Sequence, residues 1–452
     1  MAAMTWTKEQ QEVIETRGCS LLVSAAAGSG KTAVLVERII RMITDEAHPV
    51  DMDRLLVMTF TNAAAAEMRE RIGDALEKRL EENPGDKNLE RQSMLLTHAK
   101  ITTIDSFCLG LLREHFHELS IDPGFRVADE GELLLLQADV MKELLEAAYE
   151  KADPEFLHFV DCYASGRTDG GLEDYILQVW RFAQSNPWPK EWMEACRKEL
   201  SESTLGTDEG FEQTEWMKFL IHDVHVQAEE WREQLSQAAE IAGEEDGPQG
   251  YLPMLMEDIR AMEQLMEAET YRDICRCLEA PMFGRLAAAR KKEIDPEKKE
   301  LAAALRNQAK DGVKKMKALY LPASPEAIFS DMAEAAGPVL VLLHLAEEFS
   351  RRFQEAKEEK NLVDFNDLEH FALKILTGGS ADHAPGPAAD ELASFYEEIL
   401  VDEYQDSNQV QEALIQCISR ERFGTPNVFM VGDVKQSIYK FRLAKPELFM
   451  EK

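Results

Sequence analysis

At 452 residues with 45% hydrophobic side chains, the chain can bury a large core and should divide into two or three domains. Its 50 Lys and Arg against 85 Asp and Glu leave a net charge of −35, which excludes coating nucleic acid by bulk attraction, so any DNA or RNA contact must be local. No apolar run reaches the roughly 18 to 20 residues that span a bilayer, the N-terminal MAAMTWTKEQQ lacks a secretory pattern, and the seven cysteines have neither zinc nor disulfide spacing; a cytoplasmic protein with no membrane partner is the expectation.

Short apolar runs at 21–24, 55–59 and 101–104 alternate with helical periodicity at 32–44 and 63–80, which predicts a parallel α/β architecture for residues 1–118. Strand signals then fade, and 119–345 reads as an acidic, all-helical segment. GEEDGPQG (243–250) and SADHAPGPAAD (380–390) read as loops. Strands return at 398–401 and 427–431, so 346–452 completes the α/β domain and 119–345 is a helical insertion.

The stretch Ala25-Ala26-Ala27-Gly28-Ser29-Gly30-Lys31-Thr32 follows the first apolar run. A strand, a glycine turn that aims backbone N–H groups inward, and a helix starting near Lys31 together make a phosphate cradle. Lys31 would reach the β- and γ-phosphates and the Thr32 hydroxyl would ligate Mg²⁺, with Ala27, Gly28, Ser29 and Gly30 lining the loop. Alanine at 25, where the general pattern has glycine, leaves a tight strand-to-helix turn as the other reading. At the end of the run Leu400-Val401, Asp402 would hold the metal and Glu403 would orient and deprotonate the attacking water. Adjacent acids are common in so acidic a chain, and a solvated pair is the alternative.

AAAGSGKT, VMTFTNAAAAEMRERI, TIDSFC, DFNDL, VDEYQD and VGDVKQSIYKFR occur in the order found in the UvrD/Rep/RecB-like superfamily 1 DNA helicases, which the chain resembles, most of all the AddA-type helicase–nuclease subunits. The resemblance implies a RecA-like P-loop motor using ATP and Mg²⁺. It implies Gln10 as the adenine reader, although Thr7-x-x-Gln10 is also a helix capping box. It further implies Gln436 and Arg442 at the γ-phosphate, with catalytic roles beside Lys31 and Glu403. Single-stranded DNA would meet Phe60, Thr61, Asn62, Thr103, Asp105, Ser106 and Phe107, with bases stacked on Tyr439 and Phe441. Asp364, Phe365 and Asp367 match a signature with no derivable local job.

By the same resemblance the partners are single-stranded and tailed duplex DNA and an AddB-like subunit, the role is double-strand-break processing, and movement is toward the 5′ end. A second motor domain and a nuclease domain are implied too, and neither has a counterpart in these 452 residues. The alternative reading is a nucleotide- and partner-binding module without motor activity of its own. A GTPase lacks its Asn-Lys-x-Asp motif here, and a small-molecule kinase would not explain QSIYKFR. The basic clusters 290–292 and 314–317 read as solvated helix faces.

Overall fold

The computed structural model describes residues 5–26, 28–119, 121–164, 170–287, 294–437 and 445–452. Its strands are β1 (Leu21–Ser24), β2 (Leu55–Thr59), β3 (Lys100–Thr103), β4 (Arg126–Val127), β5 (Leu362–Val363), β6 (Glu398–Val401) and β7 (Val428–Gly432). Five of them form a parallel sheet in the order β1-β7-β6-β2-β3. Strands covered on both faces must be apolar throughout, and β2, β6 and β7 are buried at every position.

Alternation along each strand divides the side chains between two layers. Along the line Leu21–Phe429–Leu400–Val57–Ile101 the register carries one apolar row across all five strands. That row faces the helices Lys31–Ile43, Asn62–Glu82 and Lys87–Leu95 through Ile39, Met68, Ile72 and Leu89. Leu56, Val401 and Met430 point the other way, onto Ile104–Leu119, Phe365–Leu376 and Gln409–Ile418. Beneath the first layer Arg38 is fully buried, with its Nε donating to Glu398 at 2.7 Å.

The chain divides into two compact units. The first comprises residues 1–151, 170–192 and 345–452 and holds the sheet; the second comprises 152–169 and 193–344. The expected α/β architecture with extensive helix is therefore what the chain adopts, while the segment 119–345 is shared between the units: the helices Glu130–Lys151 and Gly170–Gln184 group with the sheet. Two further details differ from the sequence reading. The pair β4–β5 is a parallel ladder of two residues each, too short to leave a sequence period. The loop expected over 380–390 ends early, because Pro387 occupies the first turn of the helix Pro387–Phe395, where its missing N–H costs nothing.

In the second unit the helices Glu215–Gly243, Leu252–Met266 and Pro296–Tyr320 enclose a core of Leu235, Leu255, Met262 and Ala309. Arg306 Nε donates to buried Asp258 at 2.6 Å, and the second oxygen of Asp258 accepts from Phe283 N at 2.9 Å, so both oxygens of the buried acid are satisfied. Lys317 Nζ donates to the Leu278 carbonyl at 2.9 Å, Lys314 and Lys315 face solvent, and 290–292 lie outside the described residues.

Pro325–Glu359 is the one helix among the described residues long and apolar enough, by length and composition, to cross a membrane. It also carries Asp331, Glu334 and Pro338, and Phe349 and Phe353 near its end pack edge-on against Trp180. At its last turn lies the arrangement that explains the DFNDL signature. Lys357 Nζ donates to Asp364 Oδ2 at 2.8 Å and to both Asp367 oxygens at 2.7 Å, all three side chains being buried. Asp364 and Asp367 also cap the helix Phe365–Leu376 reciprocally, each side chain accepting the other's backbone N–H. Two acids and one lysine thus fasten the helix start, and Phe365 stands exposed beside them.

Candidate active site

In a parallel sheet every strand ends at the same edge, where loops meet a ligand. Ser24, Gly432 and Val401 end β1, β7 and β6 there, and Thr59 and Thr103 end β2 and β3. The strand order therefore gathers the phosphate-loop and acidic motifs on one half of the edge and the candidate DNA residues on the other.

On the first half, Gly28 and Gly30 adopt φ of +76° and +85°, which an L side chain would resist, and Gly30 caps the helix Lys31–Ile43. The loop is pinned from outside. Gln10 Nε2 donates to the Ser29 carbonyl at 3.0 Å while its Oε1 accepts Thr7 N at 3.0 Å, so the capping box and a link to the phosphate loop coexist in one residue. Lys31 Nζ lies 3.1 Å from Glu403 Oε2, bringing β1 and β6 motifs 372 residues apart into one ion pair. Glu403 itself stands in the left-handed backbone region at φ +53°, an unusual conformation for a residue with a side chain.

Asp402 accepts the Glu403 N–H at 3.0 Å. Burial, then the neighbouring Glu403 carboxylate, pushes Asp402 up to about 6. Two acids thus face one lysine, a donor set still short of positive charge. From β7, Gln436 Nε2 donates to Asp433 Oδ2 at 2.5 Å and holds that carboxyl below its usual range. A cavity of about 440 Å³ opens at the opposite end of the sheet; of its three arginines, Arg38 and Arg420 pair with Glu398 and Glu397, and Arg17 donates to the Ile14 and Thr16 carbonyls.

A family model, the UvrD/REP helicase N-terminal domain, matches residues 6–452. The chain belongs to the UvrD/REP helicase family. It is similar to proteins named as A subunits of an ATP-dependent helicase/nuclease: 46% identical across the whole chain to that of Lachnoclostridium phytofermentans, 45% across 99% to that of Acetivibrio thermocellus, and 40% across the whole chain to that of Clostridium botulinum. The aligned region is 33%, 36% and 36% of those proteins, so the chain spans about a third of the length of the curated relatives it matches.

On the second half of this UvrD/REP edge, Thr61 caps the helix Asn62–Glu82 by accepting from Ala64 N at 3.1 Å. Asn62 is exposed and Phe60 half-buried. Thr103 Oγ1 accepts Ser106 N at 3.2 Å and donates to Ser106 Oγ at 2.9 Å, which turns the chain into Ile104–Leu119 with Ser106 facing solvent and Asp105 half-buried. Phe107 is 7% exposed, and its ring packs in the core with Leu111 and Leu112, since it lies one turn into a helix that packs on the sheet. Ala27, Tyr439, Phe441 and Arg442 lie outside the described residues.

Sequence reasoning gave no role to three residues that the fold puts in or beside the site. Gln405 and Gly432 sit between the β6 and β7 motifs, inside the quoted VDEYQD and VGDVKQ stretches. Glu369, the residue directly after DFNDL, accepts from Gln411 Nε2 at 2.7 Å and Asn408 Nδ2 at 3.3 Å. Burial, reinforced by the Asp105 carboxylate, pushes Glu369 up to about 7. Its proton is then held more tightly in the folded chain than in the unfolded one, so its contribution to stability falls as pH rises from about 4.5 to about 7. Glu369→Gln removes that titration. Its stability relative to wild type should rise between pH 5 and pH 8 by on the order of 2 kcal/mol in urea unfolding. An equal difference at both pH values would contradict the burial of a charge.

Proposed function

We propose that the chain is the first motor domain of an AddA-like helicase–nuclease subunit, which hydrolyses ATP in order to move along single-stranded DNA at break ends in the cytoplasm, beside an AddB-like partner. The observation that carries this reading is the 3.1 Å approach of Lys31 to Glu403. A phosphate-binding lysine and an acid able to take a proton from water meet where the γ-phosphate of ATP would lie.

The acid pair fits a divalent cation, because two neighbouring carboxylates, Asp402 and Glu403, face the single charge of Lys31. Mg²⁺ held by Thr32 and Asp402 would shield phosphate charge and polarise the γ-phosphoryl group. The loop N–H groups of residues 28–30 would bind phosphate oxygens, with Ala27 beside them, and Gln10 would read the adenine edge from its anchored position. Lys31 would exchange its carboxylate partner for phosphate, freeing Glu403 to orient water and accept its proton. Gln436 and Arg442 would meet the γ-phosphate from the β7 side.

Coupling to DNA follows from adjacency along the edge. Phe60, Thr61, Asn62, Thr103, Asp105 and Ser106 stand at the ends of β2 and β3, next to β6, and Tyr439 and Phe441 follow Gln436 in the chain. Phosphate contact at β1, β6 and β7 would shift the neighbouring strand ends between two grips on a single strand, to the extent that ATP binds one of them more tightly. Tailed duplex DNA would be entered from its single-stranded end.

The test is equilibrium binding of Mg-ATP, and its hydrolysis with and without single-stranded DNA, by wild type and Lys31→Ala. Wild type should bind and turn over with DNA stimulation, and the variant should lose at least about tenfold in affinity, the equivalent of one charge-assisted phosphate contact. Unchanged affinity in Lys31→Ala would sink the reading. Binding without any DNA-stimulated turnover would favour the nucleotide- and partner-binding module.

A further inference from the structure

Between the acidic motif and the β7 loop lies one fully buried amide. Gln405 is 1% exposed and sits in the short turn that follows Glu403. Its Nε2 donates to Glu403 Oε2 at 2.8 Å and to Asp406 Oδ2 at 3.3 Å, while its Oε1 accepts the Asp433 backbone N–H at 3.0 Å. Asp433 in turn accepts from Lys435 N at 3.0 Å and Gln436 Nε2 at 2.5 Å. One side chain therefore joins the hydrolytic carboxylate to the loop that carries Gln436.

The neighbouring glycine is shaped to this amide. A Cβ at Gly432 would stand 2.2 Å from Gln405 Oε1 and 3.2 Å from Gln405 N, so the end of β7 must lack a side chain for the amide to lie there. Gly432 has no positive φ to explain it otherwise. The chemistry is equally restrictive. One end of residue 405 must donate to carboxylates and the other must accept an N–H; glutamate would set a third carboxylate against Glu403 and Asp406, and asparagine is one methylene short.

Resting on the motor reading above, we propose that Gln405 is a positioning residue for ATP hydrolysis, which keeps Glu403 aimed and in register with the Gln436 loop. Lys31 and Gln405 donate to the same oxygen, Glu403 Oε2. When Lys31 turns to phosphate, Gln405 remains to hold the carboxylate, and through Asp433 the same amide fixes where Gln436 starts. Gln405 touches neither nucleotide nor water; it acts through the two residues that do.

The experiment compares wild type with Gln405→Ala, Gln405→Glu and Gly432→Ala in Mg-ATP affinity and in DNA-stimulated kcat. All three should bind Mg-ATP within about threefold of wild type, which also reports that they fold, and lose about 10²-fold in kcat, the scale of a misplaced catalytic group. A structural role alone would lower stability but leave kcat of the folded fraction intact. The deciding measurement is therefore the double variant Gln405→Ala with Glu403→Gln: because one of its two routes runs through Glu403, the first change should cost clearly less in the background of the second than in wild type. Wild-type kcat in Gln405→Ala, or fully additive losses in the double variant, would overturn the positioning role while leaving the motor reading standing. A wild-type chain that binds no Mg-ATP would overturn both.

Discussion

Glu403→Gln should remove ATP turnover by about 10² to 10⁴-fold while nucleotide affinity holds or rises. The amide keeps the length and shape of the side chain, so the left-handed turn at 403 and the bond from Gln405 can survive, but it cannot take a proton from water. Binding should gain little. The Lys31–Glu403 pair is half open to solvent, with side-chain exposures of 11% and 39%, and such pairs are worth about 0 to 1 kcal/mol. Releasing Lys31 should then tighten Mg-ATP by at most about fivefold. Single-turnover hydrolysis beside equilibrium binding separates the two effects. Retained turnover would show that another group activates the water and would remove Glu403 from the mechanism.

Lys357→Met should be the most costly single change to the fold, at about 3 to 5 kcal/mol in urea unfolding, because it strands two buried carboxylates without a cation. Acid should relieve it. Burial first, and then the Asp364 carboxylate, already push Asp367 up to about 6 against the pull of Lys357. A raised carboxyl binds its proton more tightly in the folded state, so its contribution to stability declines as pH climbs from about 4 through 6. Without Lys357 that decline should steepen, and the gap between variant and wild type should narrow as pH is lowered from 7 to 5. A loss below about 1 kcal/mol at pH 7 would mean that the charges reach water and that the cluster does not fasten the helix as described.

What could be read in the sequence follows from what each element needs of its own residues. β2, β6 and β7 are largely apolar runs because they are covered on both faces, β1 is a shorter, half-buried run at the sheet edge, and the glycine loop after it announces itself because glycine suits its positive-φ turns. Helical period marked the segment after 119 as helical but could not say which core each helix would join, and Glu130–Lys151 grouped with the sheet. The motif around Phe107 did not show that its ring packs in the core, since burial depends on what packs across from it. The DFNDL acids had no local meaning until Lys357, on the preceding helix, came within 3 Å of both. Gln405 was invisible for the same reason: its importance lies in the 2.8 and 3.0 Å bonds to motifs 2 and 28 residues away.

The strand order has a consequence for how the protein comes into being. Among the described residues β1 has a single neighbour in the sheet, β7, and residue 21 lies beside residue 429. A ribosome delivers β1, β2 and β3 early, yet β1 touches neither of the other two, and the gap between them stays open until β6 and β7 slide in. Residues 193–344 can by then have closed their own helical core. The loop that follows β1 is thus among the first segments synthesised, and the nucleotide site proposed above would lack its β6 and β7 walls until residue 432 has emerged.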